Sequence, residues 1–153
     1  MLRRSIPLVA ALVAALAVTL PATAAKKKPA KEHTRLAALS GQEEAPGPGD
    51  PDGYGAAQIR IKGKNVCFVL LARQVAPVTA AHIHKAPVGQ PGDVVVALYG
   101  STAASSKLPP RASGCVKTTA AQATDIVRHP GDYYVNVHNA DFPNGALRGQ
   151  LTK

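Results

Sequence analysis

Tyr133-Tyr134-Val135-Asn136-Val137-His138-Asn139-Ala140-Asp141-Phe142-Pro143-Asn144-Gly145-Ala146-Leu147-Arg148-Gly149-Gln150-Leu151 is the stretch whose reading decides the fold. Tyr133, Val135 and Val137 alternate with Tyr134, Asn136 and His138, the period-two signature of a half-buried strand. Pro143-Asn144-Gly145 supplies turn chemistry: proline presets φ, asparagine tolerates the next position, and glycine takes the positive φ of a three-residue hairpin loop with a bulge. Leu147, Gly149 and Leu151 then alternate with Arg148 and Gln150. With Phe142 opposite Ala146, His138 faces Gln150, and the polar sides of the two strands coincide. The expectation is a hairpin with one apolar face and one polar face bearing Tyr134, Asn136, His138, Arg148 and Gln150.

A second stretch matches it. Ala80-Ala81-His82-Ile83-His84 places two histidines at i and i+2, which on a strand share one face, while Ile83 points the other way. His82 and His84 therefore belong on a polar face, as His138 does.

Working outward, the chain reads as short strands separated by turns. Leu36–Ser40 is the first candidate strand, and Gln42–Tyr54, with Pro46, Pro48 and Pro51, is an irregular excursion. Ala56–Lys62 alternates and turns back into Val66–Arg73, whose continuous apolarity predicts a central strand covered on both sides. Thr79–His84 and Val94–Tyr99 flank a Pro/Gly loop from Ala86 to Gly92. Ser101–Ser113 is a Ser/Ala/Pro loop and Cys115–Thr118 a short strand. Ala120–Arg128 is the one plausible helix, stopped by Pro130-Gly131. Seven or eight short strands at regular spacing predict an all-β, antiparallel, Greek-key-like β-sandwich rather than βαβ units.

With these residues in view, the chain resembles the CHRD (chordin) domain family. The resemblance rests on Leu39-Ser40-Gly41-Gln42-Glu43-Glu44-Ala45-Pro46, on Ala81-His82-Ile83-His84, on Gly92-Asp93-Val94-Val95 through Leu98, and above all on the terminal hairpin. It spans about Leu36 to Leu151. The resemblance implies an all-β sandwich in a secreted protein and little about activity. Growth-factor capture in animal chordin is associated with separate cysteine-rich modules, which this chain lacks.

The N-terminus reads as an address. Arg3 and Arg4 precede an apolar run from Ile6 to Leu20, and Ala22-Thr23-Ala24-Ala25 offers small-residue cleavage, so residues 1–25 read as a signal peptide. The expectation is a secreted protein with no stable membrane anchor. The remainder suffices for one domain with its own core, 36–153, preceded by a basic disordered tail, 26–35. The formal charge of +9 is mostly a property of the N-terminal leader and tail. Arg3 and Arg4 leave with the leader, and Lys26, Lys27, Lys28, Lys31 and Arg35 crowd the tail against Glu32 alone. Nucleic acid is a poor partner, because no binding motif is present and the chain has no tryptophan and 2 phenylalanines. In an oxidising compartment two cysteines favour a disulfide, here Cys67–Cys115, joining distant parts of the sandwich.

Catalytic signatures are missing: no Gly-x-Ser-x-Gly elbow, phosphate loop, Cys-x-x-Cys or His-Glu-x-x-His is present. Adjacent Glu43 and Glu44 would point to opposite faces of a strand and form no carboxylate pair. Asp50-Pro51-Asp52-Gly53 reads more simply as a turn than as a calcium loop. The histidines carry more. His-x-His on a strand can chelate one metal at nitrogen–metal distances of about 2.0–2.1 Å, with copper and zinc the fitting ions and His138 the third ligand. The pattern is similar to that of the copper–zinc superoxide dismutases, but the bridging histidine and the zinc loop with its aspartate are absent, so dismutase activity does not carry over. Two readings follow. One is a non-enzymatic binding or structural module, its face of Tyr134, Asn136, Arg148 and Gln150 meeting a protein or saccharide of the cell envelope or surroundings. The other is a copper or zinc protein with a three-histidine surface site and redox chemistry within reach.

Overall fold

The structure, a computed structural model, describes residues 28–100 and 111–153. The expected leader and most of the expected Ser101–Ser113 loop lie outside the described residues. Among these residues the chain forms eight strands: β1 (Glu32–Ser40), β2 (Tyr54–Lys62), β3 (Asn65–Arg73), β4 (Val78–Lys85), β5 (Asp93–Tyr99), β6 (Arg111–Lys117), β7 (Tyr133–Asn139) and β8 (Leu147–Gln150). One helix, α1 (Ala120–Arg128), joins β6 to β7. The strands pair antiparallel in the order β5-β4-β7-β8-β1-β2-β3-β6. The sheet curls until its edge strands β5 and β6 approach one another, giving a nearly barrel-shaped, sandwich-like all-β fold. Period-two alternation explains the closure: Ile59, Val66, Phe68, Ile83, Val135 and Leu147 all point inward and are buried.

The helix keeps its expected bounds for local reasons. Thr119 caps it, its Oγ1 accepting the Gln122 N–H at 3.1 Å. Ala123 and Ile126, three residues apart, bury one face against the core, and Pro130 prevents continuation.

Several expectations are corrected. The first strand begins at Glu32, inside the stretch read as a disordered tail, because β2 continues to Lys62 and offers partners throughout: Glu32 pairs with Lys62 and Thr34 with Arg60. β3 is not central. It lies next to the edge, with Val66, Phe68, Leu70 and Ala72 buried while Cys67, Val69 and Leu71 are half-buried. β6 begins earlier than expected, at Arg111, and pairs along β3 with Cys67 directly opposite Cys115. Those cysteines form the disulfide, but it joins neighbouring strands rather than distant parts of the fold.

The terminal hairpin is also re-registered. Tyr134 faces Gln150, Asn136 faces Arg148 and Val137 faces Leu147, so His138 does not face Gln150. The turn starts at Asn139 rather than Pro143: Asn139 Oδ1 accepts the Phe142 N–H at 2.7 Å, and Gly145 N–H donates to Phe142 O at 3.2 Å. Two successive turns replace the single tight loop. Because the register moves by an even number of residues, the polar side chains keep their common face.

Candidate metal centre

The polar face of the hairpin continues across β4. His82 pairs with Asn136, which pairs with Arg148, and His84 pairs with Tyr134, which pairs with Gln150. Inward-pointing Ile83, Val135 and Val137 alternate with these residues and anchor the strands in the core. All three histidines of the sequence reading therefore meet on the outer side of the sheet. Each offers one ligand nitrogen, and those nitrogens lie within 4.8 Å of one another.

Hydrogen bonds determine which nitrogen each ring presents. A carbonyl oxygen can only accept, so His84 Nδ1–H donates to Gly92 O at 2.9 Å and leaves its lone pair on Nε2. His138 Nδ1–H likewise donates to Pro143 O at 3.1 Å, leaving Nε2 bare. His82 Nδ1 lies 3.1 Å from that His138 Nε2 and donates its proton to it. His84 Nε2 is buried and has no hydrogen-bond partner. With its proton moved to Nε2, His82 would present Nδ1 as a neutral ring, and a metal ion would meet lone pairs from His82 Nδ1, His84 Nε2 and His138 Nε2. The carbonyls of Gly92 and Pro143 act as the outer partners that orient such ligands.

Electrostatics keep the rings neutral, the form that binds metal. Desolvation, followed by the neighbouring His138 and His84 rings, pushes the His82 pKa down to about 4. Desolvation also lowers His84 and His138, against the opposing pull of their bonds to Gly92 O and Pro143 O.

The residues expected to form an exposed binding face are instead packed beneath loops. Asn136 is 2% exposed, Arg148 1% and Tyr134 4%. Asn136 Nδ2 donates to Glu44 Oε1 and, at 3.3 Å, to Leu147 O. Arg148 Nη2 donates to Pro87 O at 3.0 Å, and Gln150 Nε2 donates to Ala86 O at 2.8 Å and Gly131 O at 2.7 Å. The loop after β4 lacks strand partners of its own, and Arg148 and Gln150 satisfy its Pro87 and Ala86 carbonyls, while Asn136 holds the Glu44 side chain, which is why the polar face is covered.

Two features escape sequence reasoning. Glu43 closes a 3-10 turn over Gly41–Glu43, leaving Glu44 to turn inward onto Asn136. Burial pushes the Glu44 carboxyl up to about 7, against the lowering effects of Arg148 and the Asn136 hydrogen bond. The other is the contact at Gly145, whose φ is positive as expected (+148°): the Glu44 carboxyl occupies the place a side chain would take, with Oε2 2.5 Å from an added Cβ. The Pro/Gly punctuation of Gln42–Tyr54 was the available signal, and it marks a loop without marking its destination.

Two further acidic groups, Asp50 and Asp125, are engaged structurally. Asp50 Oδ1 accepts the N–H groups of Asp52 at 3.2 Å and Gly53 at 3.1 Å, which makes the expected turn. A groove of about 750 Å³ lies beside α1, and none of the three clustered histidines lines it. There Asp125 accepts from Lys85 at 2.6 Å, from His129 at 2.8 Å and from Tyr133 Oη. The Lys85 bond, then those from Tyr133 and His129, hold its carboxyl well below the usual range. With these bonds Asp125 clasps α1 to the sheet.

A family model described as the CHRD domain matches residues 36–151. Comparison with curated proteins and with solved structures gives no match.

Proposed function

The chain belongs to the CHRD domain family, and within that frame we propose that it is an exported binding module, non-enzymatic, which holds one copper or zinc ion at His82, His84 and His138. The observation that carries this reading is the convergence of three half-buried imidazoles, two with their tautomers held by backbone carbonyls and one with a buried, unpartnered Nε2. An unpartnered buried acceptor is destabilising by about 1–3 kcal/mol, and a bound cation would satisfy it. Three protein nitrogens leave a fourth position for water or a ligand, the arrangement of open rather than closed zinc sites. Burial of Asn136 and Arg148 favours this reading over direct capture of a protein or saccharide by the polar face.

Equilibrium dialysis of the full chain against copper or zinc, with elemental analysis, tests it. One ion per chain is expected. His84→Ala and His138→Ala should each weaken binding by more than the roughly 10–100-fold typical of losing an outer-shell partner. Absence of binding, or variants that bind as the native chain does, would refute the reading.

A further inference from the structure

We propose that the three-histidine site selects monovalent copper over divalent copper and zinc, because the buried Arg148 cation stands behind it through the Tyr134–His84 stack. This inference rests on the metal-binding reading above. Three observations carry it. First, all three ligands are neutral imidazoles; among the described residues no carboxylate or thiolate joins the cluster. A bound ion therefore keeps its whole charge.

Second, a buried cation lies close by. Arg148 is 1% exposed, and its guanidinium sits 3.5 Å above the Tyr134 ring centre. Tyr134 in turn stacks on His84, with ring centres 4.9 Å apart and planes 12° from parallel. Gly92 grips both rings: its carbonyl accepts from His84 Nδ1, and its N–H donates to Tyr134 Oη at 3.2 Å. The cation is thus fixed relative to the ligand ring.

Third, that cation is incompletely compensated. Arg148 Nη1 is buried without a hydrogen-bond partner, and among the described residues Arg148 forms no ion pair. Glu44, the acidic group that opposes it, bonds to Asn136 and does not pair with Arg148, so its carboxylate offsets the cation only in part. Repulsion between Arg148 and a bound ion grows with the charge of the ion, by about tenfold in affinity per unit charge at an intermediate dielectric. Ordinary nitrogen sites rank divalent copper above zinc. Here both divalent ions meet twice the repulsion that a monovalent ion meets.

The test uses the full chain at pH 8, where Glu44 is ionised. Affinity for cuprous ion is measured anaerobically by competition with a chromophoric chelator, and affinities for cupric and zinc ions by matched competitions. The cuprous ion should bind more tightly than either. Arg148→Met should reduce the cuprous-to-cupric affinity ratio by about tenfold, while Arg148→Lys should retain it. If Arg148→Met does not fold, Glu44→Gln replaces it: removing the opposing carboxylate must raise the ratio. Equal or tighter binding of cupric or zinc ion overturns the inference and leaves the metal site standing. A ratio unmoved by the substitutions overturns the role of Arg148. Failure to bind any of the three ions fails the metal-binding reading itself.

Discussion

Glu44 carries the clearest titration at the residue scale. Its folded pKa of about 7 exceeds its ordinary 4.5, with burial the leading cause, so the folded chain holds this proton more tightly than the unfolded one. Stability linked to Glu44 is therefore full below about pH 4.5 and is lost as pH rises through 7. His82 acts in the opposite sense. Its pKa of about 4 lies below 6.5, so its contribution is full above pH 6.5 and is lost as pH falls toward 4. The two oppose one another in the acid range, and a variant separates them. Glu44→Gln should gain stability relative to the native chain as pH rises from 4.5 to 8, by on the order of 2 kcal/mol after allowing for solvent screening. Denaturant unfolding at a series of pH values measures the gap, and a gap independent of pH would contradict the account. The histidines of this site were legible because side-chain direction in a strand alternates, so His-x-His needs no tertiary knowledge to be placed on one face. Glu44 was not legible, because its position depends on where a proline-rich loop lands.

Among elements, the terminal hairpin shows what local pattern can and cannot specify. Alternation alone gave β7 and β8 and their polar sides. Register depended on which side chain begins the turn, and Asn139, the last residue of β7, captures the Phe142 N–H and lengthens the loop. β3 teaches a similar lesson: its apolar run reflects one buried row and one half-buried row beside β6, not a central place in the sheet. The Cys67–Cys115 bond crosses that β3–β6 pair. In the chain-entropy model a loop with a sequence separation of 48 contributes about 4 kcal/mol, and less where the unfolded chain retains structure. Replacing both cysteines with serine should reduce unfolding free energy by about 2–4 kcal/mol. Metal affinity should stay unchanged, since the bond lies across the curled sheet from β4 and β7 in the strand order. Loss of metal affinity in a variant that still folds would show a coupling that the structure does not contain.

For the whole molecule, the curled antiparallel sheet separates two tasks. Its inner face is an apolar core, and the outer face of β4, β7 and β8 carries the polar row over which the loops close. The fold class was legible because strand periodicity and turn residues repeat along the whole chain. The covering of the polar face was not, because it needs the two loops to meet side chains far away in sequence, as Glu44 meets Asn136 and Pro87 meets Arg148. That covering turns an expected recognition surface into the support of the three-histidine cluster, the proposed metal site. The most direct test of this claim is a crystal structure of the copper-loaded chain with anomalous diffraction recorded at the copper edge. The account predicts one strong peak about 2.0–2.1 Å from His82 Nδ1, His84 Nε2 and His138 Nε2, with Gly92 O and Pro143 O still bonded to the outer nitrogens of His84 and His138. A peak elsewhere on the chain, or none at these three rings, would contradict it.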